Sequence, residues 1–333
     1  MGLNIRDIVP RKELDTNELR GKIVAVDAFN ALYQFLSSIR QYDGTPLMDS
    51  KGNITSHLSG LFYRNIALLS EGVKLVYVFD GKAPDLKNSL KEKRKEIKDL
   101  AKVRYKEAKE KEDFDDMRKY SKQLSIINST MIEESKELLE AMGIAVIQAP
   151  GEGEAQASEL SKEKGIYAVA SQDYDCLLFG APLLIQNLTL ARKRKTASGI
   201  IEINPEIIEL EKVLNHLHID HDQLICIGIL TGTDYNPGGI KGIGQKKALE
   251  IVQKYKNPID IFKNYETYFD WKEVFELFKK PDVRKNIDIK FPEINPDKIK
   301  EILTKRDFSE ERIEKQIEKL INIKEKNKQK TLF

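Results

Sequence analysis

Four short apolar runs, rich in Val, Ile and Ala, constrain the fold of this 333-residue chain most strongly. Runs that are apolar throughout, rather than alternating with polar residues, are typical of strands buried on both faces of a parallel sheet. Helical patterns lie between them, and this alternation predicts an α/β fold with a mostly parallel central sheet and helices on both faces. The runs are Lys22–Asp27, Lys74–Asp80, Ile144–Ala149 and Ile166–Ala170, with a weaker one at Leu183–Gln186, and the predicted helices are Ala31–Ser38, Ser56–Ser70, Thr130–Met142 and Glu154–Lys164.

Composition excludes several classes of protein. Hydrophobic residues make up 41% of the chain, which is enough for a sizeable core. The two cysteines, Cys176 and Cys226, are too few and too far apart for a disulfide framework or a CxxC metal site. The N-terminus has no secretory pattern, and no apolar stretch approaches the ~20 residues that span a bilayer. We therefore expect an intracellular protein that does not associate with membranes.

Two other segments differ from the sheet-forming part. Residues 85–129 are rich in Lys and Glu and poor in apolar residues, so we expect a helical arch or cap that buries little surface. Its basic excess suits either a solvated helix face or contact with nucleic acid. After Asn204 the pattern predicts helices again, and the Lys-rich end of the chain predicts a flexible tail with an apolar tip.

Acidic residues follow the predicted strands one after another. The carboxyl ends of parallel strands are where ligands bind, so these residues should converge at one edge of the sheet. One such Asp is commonly a helix N-cap, but six carboxylates together repel one another and require cations. Oxygen ligands without a His or Cys set favour Mg²⁺ or Mn²⁺, and their number indicates two ions, an arrangement suited to phosphodiester cleavage. The residues are Asp27, Asp80, Glu152, Glu154, Asp173 and Asp175, with Asp234 as a possible seventh ligand.

A glycine-rich turn at Gly238–Gly244 precedes a helix predicted to begin near Gln245. Glycines allow the backbone to approach a phosphate, and the helix N-terminus presents free N–H groups to it. Lys241, Lys246 and Lys247 add positive charge. The turn therefore suits phosphate binding, although a plain helix–helix turn remains the alternative.

With these residues identified, the chain resembles the flap endonucleases, structure-specific 5′ nucleases of the XPG superfamily. The resemblance runs from Gly2 to about residue 300. It includes AVDAFNALYQFL around Asp27, TSHLSGLFYR at Thr55–Arg64, VYVFDGKAPDLK around Asp80, APGEGEAQAS, SQDYDCLLFG and TGTDYNPGGIKGIGQKKA. The resemblance implies a two-metal phosphodiesterase that cuts 5′ flaps from branched DNA in replication and repair and also has 5′–3′ exonuclease activity.

The resemblance also implies roles for individual residues. The seven acidic residues match the family's metal ligands, Lys87 and Arg94 match two basic catalytic residues at the base of the arch, and Tyr33 matches an aromatic that stacks near the scissile nucleotide. Thr55 matches a residue lining the pocket for a one-nucleotide 3′ flap. The glycine-rich turn matches a helix–two-turn–helix element that grips duplex DNA, often with K⁺. The expected DNA-binding residues are Gly2, Arg40, Thr55, Arg64, Gly239, Lys241, Gly242, Gly244, Lys246 and Lys247.

Family members commonly end in a peptide that binds the sliding clamp (PCNA). Gln329, Leu332 and Phe333 match part of it, but no second aromatic follows Phe333, so the peptide is either shortened or cut. We expect two partners, branched or flapped duplex DNA and the clamp, with the chain itself a monomer. The resemblance implies the cytoplasm if the source is archaeal and the nucleus if it is eukaryotic.

The expected organisation is one nuclease domain, 1–322, followed by a flexible tail, 323–333. Within the domain we expect an N-terminal nuclease region (1–86), the arch (87–129), an internal nuclease region (130–215), the helix–two-turn–helix region with its following helices (216–300) and C-terminal helices (301–322). Two alternatives to a flap endonuclease remain. One is another 5′ nuclease of the superfamily, and the other is a non-catalytic scaffold that binds branched DNA.

Overall fold

The structure, a computed structural model, describes residues 3–82, 99–100, 102–105, 107, 126–163, 165–190, 193–196, 199–265 and 267–330. Several predicted residues lie outside these ranges, namely Gly2, Lys87, Arg94, Leu332 and Phe333, together with most of the expected arch. The part of the arch that is described, at 99–100, 102–105 and 107, is helical.

A seven-stranded sheet forms the centre of the fold, and two further strands form a separate pair. The strands are β1 Lys12–Glu13, β2 Ile23–Asp27, β3 Lys74–Phe79, β4 Ala145–Gln148, β5 Ile166–Ala170, β6 Leu183–Gln186, β7 Lys193–Thr196, β8 Gly199–Glu202 and β9 Glu206–Glu209. Their order in the sheet is β1-β9-β6-β5-β2-β3-β4, and β7 and β8 form the separate antiparallel pair. Neighbouring strands from β6 to β4 are parallel, whereas β9 is antiparallel to both β6 and β1. All five predicted strands are present, which confirms the mostly parallel sheet.

Strand β9 corrects the expectation that the chain turns helical directly after Asn204. Ile207 and Ile208 are buried and pair with Ile185 and Leu184 of β6. Without β9, the outer side of β6 would leave its backbone groups unpaired beside the core. The antiparallel strand therefore closes that side of the sheet before the helices begin.

The helices flank the sheet and then extend beyond it. Their bounds are α1 Ala28–Ser38, α2 Ser56–Ser70, α3 Ser129–Ala141, α4 Gly153–Lys162, α5 Asp175–Leu178, α6 Leu210–Leu217, α7 His221–Thr231, α8 Gln245–Lys254, α9 Pro258–Lys263, α10 Trp271–Lys279, α11 Pro296–Thr304 and α12 Glu310–Lys330. Helix α12 continues past residue 322, where the tail was expected to begin, because its Lys, Glu and Gln residues favour helix. Within the described ranges, no helix combines the length and the apolarity that crossing a bilayer requires.

Two buried clusters cover the two faces of the sheet. Val24 and Val26 of β2 point into a cluster that includes residues of α1, α2 and α3, whereas Ala25 points into the cluster with α4 and α7. This alternation follows from the two-residue period of a strand. With both faces buried, the carboxyl ends of the strands are held rigidly, and the side chains that follow them share one edge.

One buried ion network joins three distant segments. The guanidinium of Arg306, which follows α11, donates through Nη1 to Asp49 Oδ2 at 3.0 Å and through Nε to Glu134 Oε1 at 2.9 Å. All three side chains are largely buried, with 13, 1 and 17% of the Arg306, Asp49 and Glu134 side chains exposed. We call Asp49, Glu134 and Arg306 the arginine network. It ties the loop before α2 and helix α3 to the C-terminal helices.

Candidate metal centre and nucleic-acid interface

Asp27 ends β2 at the centre of the sheet and also caps α1. Its Oδ1 accepts a hydrogen bond from the Asn30 backbone N–H at 3.1 Å, and its Oδ2 accepts from the Ser171 hydroxyl at 3.0 Å. Burial, followed by the negative charge of Asp80, raises the Asp27 pKa from 3.8 to about 7, and Asp173 adds to this. The N-cap interpretation of Asp27 is therefore correct as far as it goes, but this cap also lies among other carboxylates.

Asp80 follows β3 directly and is exposed at the same edge. Its Oδ1 accepts a hydrogen bond at 2.7 Å from the backbone N–H of Gly153, the first residue of α4. A Cβ added at Gly153 would lie 2.6 Å from this oxygen, so a side chain at this position would displace Asp80. The glycine between Glu152 and Glu154 thus allows the start of α4 to approach the end of β3, a role that sequence analysis missed.

Glu154, Asp173 and Asp175 form the tightest acidic group. One carboxylate oxygen from each lies within 4.8 Å of the others. Asp175 is buried and its two neighbours are half-buried. Burial, and then the charges of Glu154, Asp27, Asp173 and Asp175, raise the pKa of the adjacent Cys176 thiol. Three hard oxygen donors focused on one point fit a divalent cation, which would offset their mutual repulsion.

Glu152 lies just before α4 and is only 6% exposed. The hydroxyl of Tyr235 donates a hydrogen bond to its Oε2. Burial, followed by the charges of Glu152 and Glu154 and then of Asp175, raises the Tyr235 pKa. Asp234 directly precedes Tyr235 and is buried at 8% exposure. Sequence analysis missed Tyr235, although its position beside Asp234 was a visible signal.

Six of the seven predicted acidic residues therefore act on one another or on Tyr235 at this edge of the sheet, and the seventh, Asp234, is buried directly before Tyr235. After burial, the negative charges of Asp80 and Asp173 raise the pKa of Asp27. Those of Glu152, Glu154 and Asp175 likewise add to the effect of burial on the pKa of Tyr235. We call this set the acidic cluster, and it consists of Asp27, Asp80, Glu152, Glu154, Asp173 and Asp175.

The predicted residues on α1 and α2 are also placed. Tyr33 lies on α1 with 42% of its surface exposed. Thr55 occupies the N-cap position of α2 and is buried. Arg40 donates through Nη1 to the carbonyl of Gly44 at 2.8 Å. Burial lowers the pKa of both Arg40 and Arg64, but an arginine stays charged at neutral pH.

The glycine-rich turn has the expected position before α8, which begins at Gln245. Gly239 has φ of +55°, and a Cβ there would lie 2.4 Å from the carbonyl oxygen of Leu230. The turn is therefore packed closely against the end of α7, while the side chains of Lys241, Lys246 and Lys247 are exposed. A close-packed turn with exposed lysines is compatible with binding the phosphates of a nucleic-acid backbone.

Comparisons with known proteins agree with this geometry. The XPG N-terminal domain family matches residues 4–101, and the XPG I-region family matches residues 143–234. Flap endonuclease 1 of Thermococcus onnurineus is 50% identical over 337 residues, covering 100% of this chain and 98% of the relative. The structure of flap endonuclease-1 from Methanococcus jannaschii has a TM-score of 0.77 and 43% identity, covering 97% of this chain and 98% of that one.

A more distant structure, the catalytic core of Rad2 in complex with DNA substrate, has a TM-score of 0.69 at 24% identity, covering 94% of this chain and 96% of that one. At that identity the likeness concerns the fold alone. The relative from Thermococcus aligns over 98% of its length and is identical to this chain at half of the aligned positions. The chain therefore belongs to the flap endonuclease family of the XPG superfamily.

Proposed function

We propose that this flap endonuclease, a metal-dependent DNA hydrolase, cuts one phosphodiester near the junction between a single-stranded 5′ flap and a duplex. A 5′–3′ exonuclease activity at the same site, in replication and repair, belongs to the proposal. The observation that carries it is the convergence of Glu154, Asp173 and Asp175 within 4.8 Å at the carboxyl end of a parallel sheet. A scaffold that only binds DNA would have no need for such mutually repelling charges.

Two Mg²⁺ ions, which Mn²⁺ could replace, would be held by the acidic cluster and Asp234. Bound there, they would lower the pKa of a water molecule and offset charge on the scissile phosphate. Glu154, Asp173 and Asp175 supply the oxygens that lie closest together. Asp27, which is hydrogen-bonded to Ser171 and Asn30, and Asp80, which is hydrogen-bonded to Gly153, would supply further oxygen ligands.

Lys87 and Arg94 are proposed to stabilise charge on the phosphate as the bond to the leaving oxygen breaks. On a helix, their spacing corresponds to about two turns, so both would share one face. Replacing either by Ala should lower the single-turnover rate roughly 10²–10³-fold, whereas the control variants Lys102→Ala and Lys109→Ala should cost less than about tenfold. Equal losses in all four would show that the segment supplies only a diffuse field.

The remaining residues are proposed to hold DNA without selecting its sequence. Gly239, Gly242, Gly244, Lys241, Lys246 and Lys247 would contact duplex phosphates, with K⁺ at the turn. Tyr33 would stack on a base, and Thr55 would line the pocket for a 3′ flap. Further contacts with DNA would come from Gly2, Arg40 and Arg64. Such binding should weaken steeply with salt and be insensitive to base sequence at a fixed junction. Salt-insensitive binding would contradict it.

Cleavage of a labelled double-flap DNA, with and without Mg²⁺, tests the function directly. Product should form only with the metal, and its length should place the cut at the junction. A matched panel of nicked duplex, bubble and single-stranded DNA distinguishes the alternatives. Faster cutting of bubbles than of flaps would indicate another 5′ nuclease of the superfamily, and tight binding without any cutting would indicate a scaffold.

The C-terminal peptide is proposed to bind the sliding clamp. Deleting Gln329–Phe333 should leave cleavage of DNA alone unchanged and reduce stimulation by the clamp, because the apolar residues would fill a clamp pocket. Equal stimulation after deletion would place the contact elsewhere. Since the Thermococcus relative is archaeal, we also propose the cytoplasm as the compartment and a monomer as the working form.

A further inference from the structure

We propose that Tyr235 is a positioning residue that orients Glu152 toward the bound metal ions. The inference rests on the proposed function, in which Glu152 is one of the metal ligands. Its basis is the hydrogen bond from the Tyr235 hydroxyl to Glu152 Oε2, between two residues that are 3 and 6% exposed.

Tyr235 can orient another side chain because its own position is tightly determined. Its backbone N–H donates to Thr233 Oγ1 at 3.2 Å. The next residue, Asn236, accepts from the Thr233 hydroxyl at 2.8 Å and donates to the carbonyl of Ile229 at 2.7 Å, which fastens the segment to α7. The Tyr235 ring packs edge-to-face on Phe278 of α10, with 5.3 Å between centroids and 81° between planes. Contacts thus fix the Tyr235 backbone, the adjacent Asn236 and the Tyr235 ring.

Glu152 is a side chain that needs such a constraint. It stands close to like charges, because Glu154, two residues along the chain, belongs with Asp173 and Asp175 to the group whose carboxylate oxygens lie within 4.8 Å of one another. Repulsion favours a rotamer that turns Glu152 away from them. A hydrogen bond from the Tyr235 hydroxyl to Oε2 opposes that rotation. Partners that hold a metal ligand in this way commonly change metal affinity 10–100-fold when removed.

The test measures Mn²⁺ binding to the full-length, metal-free protein without DNA, using the electron paramagnetic resonance signal of free Mn²⁺. Tyr235→Phe removes the hydroxyl and keeps the ring that packs on Phe278. We expect Mn²⁺ affinity to fall about tenfold. The matched control is Tyr77→Phe, because Tyr77 is fully buried and its hydroxyl donates to Asn65 at 2.8 Å, away from the acidic cluster. That variant should bind Mn²⁺ as the wild type does, and thermal unfolding without metal shows that both variants are folded.

Two further variants make the outcomes distinguishable. Glu152→Ala should weaken Mn²⁺ binding at least as much as Tyr235→Phe, and the double variant should match Glu152→Ala alone, because Tyr235 acts only through that carboxylate. Wild-type Mn²⁺ affinity in Tyr235→Phe, or an additive loss in the double variant, overturns the inference. If Glu152→Ala binds normally while Asp173→Ala does not, the inference fails and the metal site stands. If Asp173→Ala also binds normally, the proposed metal site itself fails.

Discussion

The acidic cluster and the arginine network place buried carboxylates in opposite surroundings. Around Asp27 the neighbouring charges are Asp80 and Asp173, and burial together with these charges raises its pKa to about 7. Burial also acts to raise the pKa of Asp49, but hydrogen bonds from Asn53, Arg306 and Lys51 outweigh it and lower the pKa to about 2. One carboxylate resists ionisation at the functional edge of the sheet, and the other is stabilised as an anion.

The difference separates two uses of the same chemical group. In the arginine network the cation is part of the chain, so the guanidinium offsets the negative charge of its two carboxylate partners as soon as folding is complete. In the acidic cluster the balancing cations are proposed to come from solution, so folding leaves unfavourable charge that metal binding relieves. Stability and activity should therefore respond in opposite ways when a carboxylate is removed from each region.

The largest expected effect is on cleavage. Asp173→Ala or Asp80→Ala should lower the single-turnover rate of flap cutting about 10³-fold or more, because a lost ligand removes several kcal/mol of metal assistance. The metal-free variants should unfold at or above the wild-type Tm, since a repelling charge has gone. The exposed Asp288→Ala serves as the control and should change neither quantity. Near-normal cleavage by both variants in saturating Mg²⁺ would contradict the two-metal assignment.

The next effect concerns the arginine network and falls on stability. Arg306→Met should lower the free energy of unfolding by about 2–4 kcal/mol, because Asp49 and Glu134 stay buried after their shared guanidinium is removed. The exposed Arg312→Met is the matched control, with little expected change. Below the Tm of the variant, the Mg²⁺ dependence of cleavage should equal that of the wild type. A shift in the Mg²⁺ dependence of cleavage would show that the arginine network also affects metal binding, which would contradict the distinction between the two regions.

A smaller effect should appear in the pH dependence of the acidic cluster. A folded-state Asp27 pKa of about 7, against an ordinary 3.8, means that the folded protein binds this proton more tightly. Metal-free stability should therefore fall as pH rises from about 4 to about 7, with an upper limit on the order of 4 kcal/mol. Asp27→Asn keeps an acceptor for the Asn30 N–H, so it should be on the order of 2 kcal/mol more stable than wild type at pH 8 and similar at pH 4. Urea unfolding at both pH values measures this, and a variant that is less stable at pH 8 would contradict the prediction.

The smallest effect has the opposite sign. Because the Asp49 pKa is lowered to about 2, its ionised form stabilises the folded protein above pH 3.8, and that contribution is lost as pH falls toward 2. Asp49→Asn should lower the Tm by a few degrees at pH 7, and the gap to wild type should narrow below pH 4. Thermal unfolding followed by circular dichroism between pH 3 and 7 measures the gap. A Tm difference between wild type and variant that widens in acid would show that Asp49, like Asp27 of the acidic cluster, is destabilising when ionised.

Sequence analysis succeeded where the signal is local. The strands Ile166–Ala170 and Leu183–Gln186 begin and end as predicted, because a buried strand is a continuous apolar run. The placement of Asp27 and Asp80 followed in the same way, since each is read directly from the end of its strand. These local patterns were sufficient to predict the sheet and the edge at which the carboxylates gather.

Sequence analysis missed features that depend on contacts between residues far apart in the sequence. Strand β9 has only two apolar residues, Ile207 and Ile208, and its existence depends on pairing with β6 and β1. The hydrogen bond from Tyr235 to Glu152 crosses 83 positions of the chain. No periodicity reports such a pairing, because it results from packing rather than from local propensity.

The arginine network also sets an order of events during synthesis. Arg306 lies 172 positions after Glu134 and 257 after Asp49. At about 5–20 residues per second, a ribosome adds Arg306 roughly 10–30 s after Glu134. Throughout that interval the loop before α2 and helix α3 lack the Arg306 guanidinium. The nascent chain can thus assemble its sheet early. The contacts of Arg306 with Asp49 and Glu134, in contrast, can form only when translation is almost finished.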